Sequence, residues 1–342
     1  VGQGMFGILC DDPGQELGRE EALEQARELQ RRLSSYDVIK NDVQWETDFT
    51  LVVSSEGPMV LQQAELGLSE AMRNRRDLVY APDVADDVYL RMENNLRWLK
   101  RIRQGLAQER FVAYYQPIVD NRTGEIVKYE ALLRLLNDDE SAVSPGQFLS
   151  VAKNSKYYGE ITRRIFDRAV NAFMHRPEGV AVNLSVLDIE SSRTRHHILS
   201  TLRQHPDMAR RLTLEIVEQE GLEHYDEVKE FITEVKGLGA LIALDDFGSG
   251  YSNFVRIIDL DVDYVKIDGS IVTRLEGEKS MRELVLGLKT YVATNNVELI
   301  AEFVENEAVR SLLQTMGVRY SQGFCLGRPQ PLPDSEIQSS LV

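Results

Sequence analysis

Leu241-Ile242-Ala243-Leu244-Asp245-Asp246 carries four apolar residues straight into two carboxylates, and the same design recurs along the second half of the chain. Val180-Ala181-Val182 ends in Asn183, and Tyr264-Val265 ends in Lys266 with Asp268 two residues on. Leu214 leads to Glu215 and then Glu218, Ile300-Ala301 to Glu302 and then Glu305, Lys128-Tyr129 to Glu130, and Ser321 to Gln322. A carboxylate at the end of a buried strand is costly unless positive charge sits against it. Six or more converging on one place call for divalent cations.

Working outward, apolar runs alternate with amphipathic stretches from Phe111 to Leu332. The pattern predicts strands at 111–119, 127–135, 179–184, 211–217, 241–245, 264–267, 298–303 and 322–326. Helices are predicted between them at 159–175, 191–205, 225–238, 279–294 and 306–316. Eight strands alternating with helices imply an α/β fold, a TIM-like (β/α)8 barrel whose function sits at the C-terminal ends of the strands. The first pair departs from that repeat. Asp120-Asn121-Arg122-Thr123-Gly124 is a short polar turn with no room for a helix, so strands one and two should form a hairpin.

The 342 residues suit one barrel of about 230 to 250 residues plus a smaller unit. The expected division is a partial α+β unit over 1–82, a linker helix over 83–107 and the barrel over 108–342. In the first block a strand at 5–10, a helix at 18–35, a strand at 49–53 and a helix at 61–76 are too few for an independent closed core. Val88, Leu90, Met92, Leu96, Leu99, Ile102 and Leu106 give the linker an apolar side, for packing on a neighbour or on a second copy.

No run of 18 apolar residues offers a membrane span, so no membrane contact is expected within this segment. The start at Val1, without a basic-then-apolar leader, reads as part of a longer chain whose upstream sensory domains lie elsewhere. Cys10 and Cys325 lie far apart, which fits a reducing cytoplasm better than a disulfide. A net charge of −16 argues against DNA or RNA as partner, although bound cations can reverse the sign locally for a phosphate substrate. The five histidines show no ligand spacing, which argues against zinc.

Apart from Lys266, the strand-end set offers side-chain oxygens of Glu, Asp, Asn and Gln with no Cys or His, and oxygen ligands are what Mg²⁺ or Mn²⁺ prefer. Asp245 and Asp246 would face opposite ways on an extended strand, but both can reach the same site if the chain turns there. Two cations about 3.5–4 Å apart would clamp the attacking and leaving oxygens of a phosphodiester. The following Phe247-Gly248-Ser249-Gly250-Tyr251-Ser252 reads as a loop able to approach the site.

These residues match a family. Tyr129-Glu130-Ala131-Leu132-Leu133-Arg134 resembles the signature of the EAL domains, the cyclic di-GMP phosphodiesterases. The resemblance extends through Gln116-Pro117-Ile118, Asn183-Leu184-Ser185, Leu214 to Glu218, Asp245-Asp246-Phe247-Gly248, Lys266-Ile267-Asp268, Ala301 to Glu305 and Gln322-Gly323-Phe324. It covers roughly residues 108–332 and implies hydrolysis of cyclic di-GMP to linear pGpG by two cations, Mg²⁺ or Mn²⁺. It also implies roles. Glu130, Asn183, Glu215 and Asp245 resemble ligands of the first metal, with Asp245 bridging and Asp246 and Glu302 serving the second. Glu302 resembles a general base and Lys266 the lysine beside the attacking water and the phosphate. Arg134 would hold a phosphate oxygen, Gln116 and Gln322 would contact substrate or water, and Glu218 would anchor the Asp-Phe-Gly loop.

Asp268 reads equally as a strand-end brace or as an active-site hydrogen-bond partner, and Glu305 reads as a carboxylate at the start of the 306–316 helix, supporting the site, rather than as a ligand. Phe303 stands where the family often has Gly. By strand alternation it should point away from the metals as a packing variation. In the first block, Gly2-Gln3-Gly4-Met5-Phe6 resembles a degenerate GGDEF signature, with identity at Gly2 and Phe6 and the acidic pair replaced by Gly4-Met5. Cyclase activity would then be excluded. Two other functions compete with the enzyme: an inert cyclic di-GMP receptor, and a homodimerising scaffold using the linker helix.

Overall fold

Eight strands close into a barrel because each alternates an inward and an outward side chain, leaving one face for the interior and the other for a helical coat. The structure, a computed structural model, describes residues 18–34, 38–40, 43–45, 49–54, 60–217, 225–248 and 259–332. The expected strand at 5–10, the Gly2–Phe6 signature, Cys10, Glu218 and Ser249 lie outside them. The chain divides into two compact units, Val1–Arg97 and Trp98–Val342.

In the first unit, helix Arg19–Ser34 precedes strands β1 (Val38–Lys40) and β2 (Val43–Trp45), an antiparallel pair. Strand β3 (Leu51–Val53), helix Val60–Arg73 and strand β4 (Leu78–Tyr80) follow, with β3 and β4 parallel. Ala71, Val79 and Val84 are its buried core, with Val52 and Val88 packed against them. The sequence reading lacked β1, β2 and β4, each three residues long and too short to show a period.

Helix Ala81–Ala107 reaches into both units. Its apolar positions do not form one buried stripe. Trp98, Ile102 and Leu106 are buried in the second unit's core, whereas Leu90, Met92 and Leu96 are exposed.

The second unit is the barrel. Its strands are β5 (Phe111–Asp120), β6 (Ile126–Leu136), β8 (Gly179–Leu184), β9 (Leu212–Val217), β10 (Leu241–Phe247), β11 (Tyr264–Ile267), β12 (Glu298–Ala301) and β13 (Tyr320–Gln322); the short β7 (Ala142–Val143) extends β6 at its edge. They pair in the order β5-β13-β12-β11-β10-β9-β8-β6, and a β5–β6 pairing closes the ring. Strand β5 is antiparallel to both neighbours and the other pairings around the ring are parallel. The hairpin expected from the 120–124 turn is therefore present.

Helices coat the outside as their spacing dictates. Tyr158–Phe173 buries Ile161, Ile165, Phe166, Ala169, Val170 and Phe173, one face at helical period, against β5 and β8. Inside, Ile118, Ile300 and Tyr320, with Tyr264, make a small apolar plug. Lys128 is buried there too, its ammonium 3.8 Å from the centre of the Tyr264 ring and hydrogen-bonded to Thr213 Oγ1.

Candidate active site

The residues two positions further along the parallel strands, and two positions back on the antiparallel β5, face the same interior, one layer nearer the C-terminal mouth. Glu130, Glu215, Asp245, Lys266, Glu302 and Gln322 are all buried, as is Gln116 on β5, and Asn183 joins them from β8 as an exposed residue at the mouth. Lys266, 1% exposed, sits at the centre of the layer. Its ammonium lies 2.8 Å from Glu215, 2.9 Å from Glu302, 3.0 Å from Asp245 and 3.3 Å from Glu130. Amides complete the frame around Glu130. Asn183 Nδ2 donates to Oε1 at 2.6 Å, and Gln322 Nε2 donates to Oε2 at 2.6 Å and to Gln116 Oε1 at 3.1 Å. Gln116 Nε2 in turn donates to the Gly327 carbonyl at 3.1 Å.

The charges do not balance. An ammonium has three N–H donors and faces four carboxylates. Among the described residues Glu215 Oε1 accepts no hydrogen bond, and Asp245 Oδ1 touches the ammonium only outside hydrogen-bonding geometry. The imbalance shows in the proton affinities. Burial pushes Glu215 well above the ordinary carboxylate range and Glu302 up to about 8, with Lys266 opposing both. Burial also works upward on Glu130, but Lys266, Gln322 and Asn183 together hold it below that range. For Lys266 burial works downward, and the surrounding carboxylates overcome it and raise the ammonium well above its usual value.

One rim residue reaches the site by a backbone turn. Asp246 has φ 57°, in the left-handed region, where the β10–β11 register also shifts. The turn breaks strand alternation and brings oxygens of Asp245, Asp246 and Glu302 within 4.8 Å of one another. Burial, and then the neighbouring Asp245, raise the Asp246 carboxyl. The donor set fits a hard divalent cation: oxygen ligands, buried oxygens lacking partners, and more negative charge than one ammonium can offset. Asp245, Asp246 and Glu302 would hold it, with Glu130, Asn183 and Glu215 adjacent.

The remaining expected residues are placed differently. Arg134 is half-buried, its guanidinium donating to the Leu133 carbonyl at 2.7 Å and lying 5.7 Å from the centre of the Tyr114 ring. Asp268 caps the short helix Gly269–Val272, accepting from Ser270 N at 2.9 Å. Glu305 is exposed, one residue before Asn306, whose side chain caps helix Glu307–Met316 by accepting from Val309 N at 2.8 Å.

Two features escaped the sequence reading. Lys128 lies two residues before Glu130 on the same strand, and so on the same face, a signal that was there to read. Burial lowers its ammonium to about 8. Phe303 was expected to follow strand alternation, but β12 ends at Ala301. Phe303 instead adopts φ 53°, which costs a residue with a side chain roughly 1–2 kcal/mol, and is 56% exposed.

Comparison with known proteins supplies the context. The EAL domain model matches residues 99–329. Over 279 residues the sequence is 28% identical to the cyclic di-GMP phosphodiesterase PdeB of Shewanella oneidensis, a match covering 80% of this chain and 33% of that protein. It is likewise 28% identical over 255 residues to the cyclic di-GMP phosphodiesterase PdeF of Escherichia coli, covering 72% and 34%. The chain thus spans about a third of the length of these curated relatives. Among solved structures it is similar to the PaMucR phosphodiesterase in complex with c-di-GMP, at 29% identity and a TM-score of 0.64, covering 69% of this chain and 98% of that one. The FimX EAL domain of Pseudomonas aeruginosa bound to c-di-GMP gives 26%, 0.64, 68% and 96%.

Proposed function

The chain belongs to the EAL domain family, and on that premise we propose that it hydrolyses cyclic di-GMP to linear pGpG as a phosphodiesterase dependent on Mg²⁺ or Mn²⁺. The observation that carries this reading is the single buried ammonium among four carboxylates, with carboxylate oxygens left over for cations. Names of relatives support the substrate: PdeB and PdeF are called cyclic di-GMP phosphodiesterases.

In this reading Glu130, Asn183, Glu215, Asp245, Asp246 and Glu302 would hold two cations. When bound they make water a nucleophile at neutral pH and take up charge on the phosphodiester. The protein's own residues supply the rest. Lys266 places positive charge where the phosphate's negative charge grows, and Glu302, beside it, accepts the proton of the attacking water. Asn183 and Gln322 fix both oxygens of Glu130, and Gln116 fixes Gln322, so the set is oriented before substrate arrives. Arg134, near the outer end of the same strand, holds a phosphate oxygen. Asp268 braces the end of β11, Glu305 lies at the start of helix Glu307–Met316, and Glu218, which lies outside the described residues, is assigned the anchoring of the Asp-Phe-Gly loop.

We read the first unit as belonging to a degenerate GGDEF-like domain without cyclase activity. The parallel β3–β4 pair flanked by helices supports this. The segment is proposed to act in the cytoplasm. The exposed Leu90, Met92 and Leu96 support homodimerisation through the Ala81–Ala107 helix, which light scattering over a range of concentrations tests. Among the described residues no helix is long and apolar enough to cross a membrane.

The decisive experiment is incubation with cyclic di-GMP, with and without Mg²⁺ or Mn²⁺, and separation of the products. pGpG should form only with the cation, and Glu130→Ala and Asp245→Ala should abolish it. Nucleotide bound but never cut would overturn the enzyme in favour of a receptor.

A further inference from the structure

Two aromatic side chains stand exposed beside the carboxylate layer, and they differ in one respect. The segments that carry them are zipped together: Val304 N donates to the Gln322 carbonyl at 3.0 Å, and Cys325 N to the Val304 carbonyl at 3.1 Å. Phe303 therefore follows Glu302 directly, and Phe324 lies two residues beyond Gln322, at adjoining strand ends. Phe324 is 51% exposed, but the Arg328 guanidinium lies over its ring at 4.2 Å. Phe303 rests against Gly269, where an added Cβ would come within 2.5 Å of its ring, and it is open to solvent for more than half its surface.

Neither packing nor backbone preference accounts for a phenylalanine at 303. The residue buries little, so the hydrophobic return is small. Its φ of 53° favours glycine over any side chain. Strain kept at the rim of a site, in a residue whose neighbour is one of the clustered carboxylates, is the arrangement found where a side chain has work to do. A rigid π-face next to phosphodiester chemistry suits one kind of ligand group, a flat heteroaromatic base.

We propose that Phe303 is a specificity-determining residue, its ring the platform on which one base of the substrate stacks while the carboxylates handle the phosphodiester. The proposal rests on the phosphodiesterase reading for the substrate, but its test does not depend on turnover. Gly269, with no side chain, gives the ring a backbone surface to lie on and leaves space for the base above the rim.

Calorimetric binding of cyclic di-GMP to the wild type, Phe303→Gly, Phe303→Leu and Phe303→Trp separates the outcomes. Glycine relieves the left-handed backbone, so this variant should fold at least as well as the wild type. Its Kd should rise about tenfold, as expected for one lost base–aromatic stack. Leucine, apolar but without a π-face, should recover little, and tryptophan should bind like the wild type. In turnover, the selectivity (kcat/KM) for cyclic di-GMP over bis(p-nitrophenyl) phosphate, which has no base, should fall by the same factor in Phe303→Gly. An unchanged Kd in Phe303→Gly, or Phe303→Leu equal to the wild type, would overturn the proposal. So would an equal loss on both substrates, which is the mark of a merely structural role. A wild type that binds cyclic di-GMP and cleaves neither substrate would overturn the enzyme reading alone, because the series of Kd values would still decide the platform.

Discussion

Replacing Lys266 by Met tests the charge argument most directly. Methionine nearly matches the length of the lysine stem and removes only the ammonium. Four carboxylates, now within 2.8–3.3 Å of that charge, would be left facing one another in a site that is almost entirely closed. At an effective dielectric constant of about 20, each contact near 3 Å is worth about 5 kcal/mol of Coulomb energy. Much of that already offsets carboxylate desolvation and mutual repulsion, so the net loss should be the ~3–5 kcal/mol typical of a buried pair broken from one side. That is a large share of the ~5–15 kcal/mol stability of an ordinary domain. The assay is urea unfolding in EDTA, followed by tryptophan fluorescence, since Trp98 is buried in the barrel unit. Adding Mg²⁺ or Mn²⁺ should recover more stability in the variant than in the wild type, because cations can enter where the ammonium stood, while turnover stays lost. A variant within 1 kcal/mol of the wild type in EDTA would refute the reasoning, because the carboxylate layer would then not depend on Lys266.

Other expectations follow from single contacts. Gly323→Ala would put a Cβ 2.2–2.6 Å from the backbone of Val304, so it should cost at least the ~1–3 kcal/mol of an overpacked site and lower activity; denaturant midpoints and turnover measure both. Gln322→Leu strips Glu130 Oε2 of its amide partner and should weaken Mn²⁺ affinity about 10- to 100-fold, read by calorimetry. Burial works upward on Asp120, but its hydrogen bonds from Arg122 and Arg319 prevail and hold it below the usual range. A depressed folded-state value means its stabilisation is full above the unfolded value near 4 and is lost as pH falls through the depressed one. Asp120→Asn should therefore destabilise at pH 7 and flatten the acid limb of stability against pH, whereas an unchanged acid limb would contradict this.

The barrel was legible because its strands advertise themselves twice, by apolar runs and by the polar residue that ends each run. Strands 179–184 and 264–267 lie where the pattern placed them. The last strand was misjudged. It spans Tyr320–Gln322, not 322–326, because Gly323-Phe324-Cys325 looks apolar and extended but turns under Val304, where only glycine fits. The stripe on the Ala81–Ala107 helix was likewise legible as apolar, yet which of its residues would be covered was not.

Residue order alone determined that a ring of acids, amides and one lysine would gather at one mouth of a parallel barrel, since strand period and strand ends are local properties. Only the tertiary structure decided that the lysine would touch four carboxylates at once. It alone decided that Asp246 would turn back toward Asp245, and that Phe303 would stand open on the rim. Those outcomes depend on left-handed backbone at strand ends and on distances across the ring, and both are set by closure of the sheet, which no window of sequence contains.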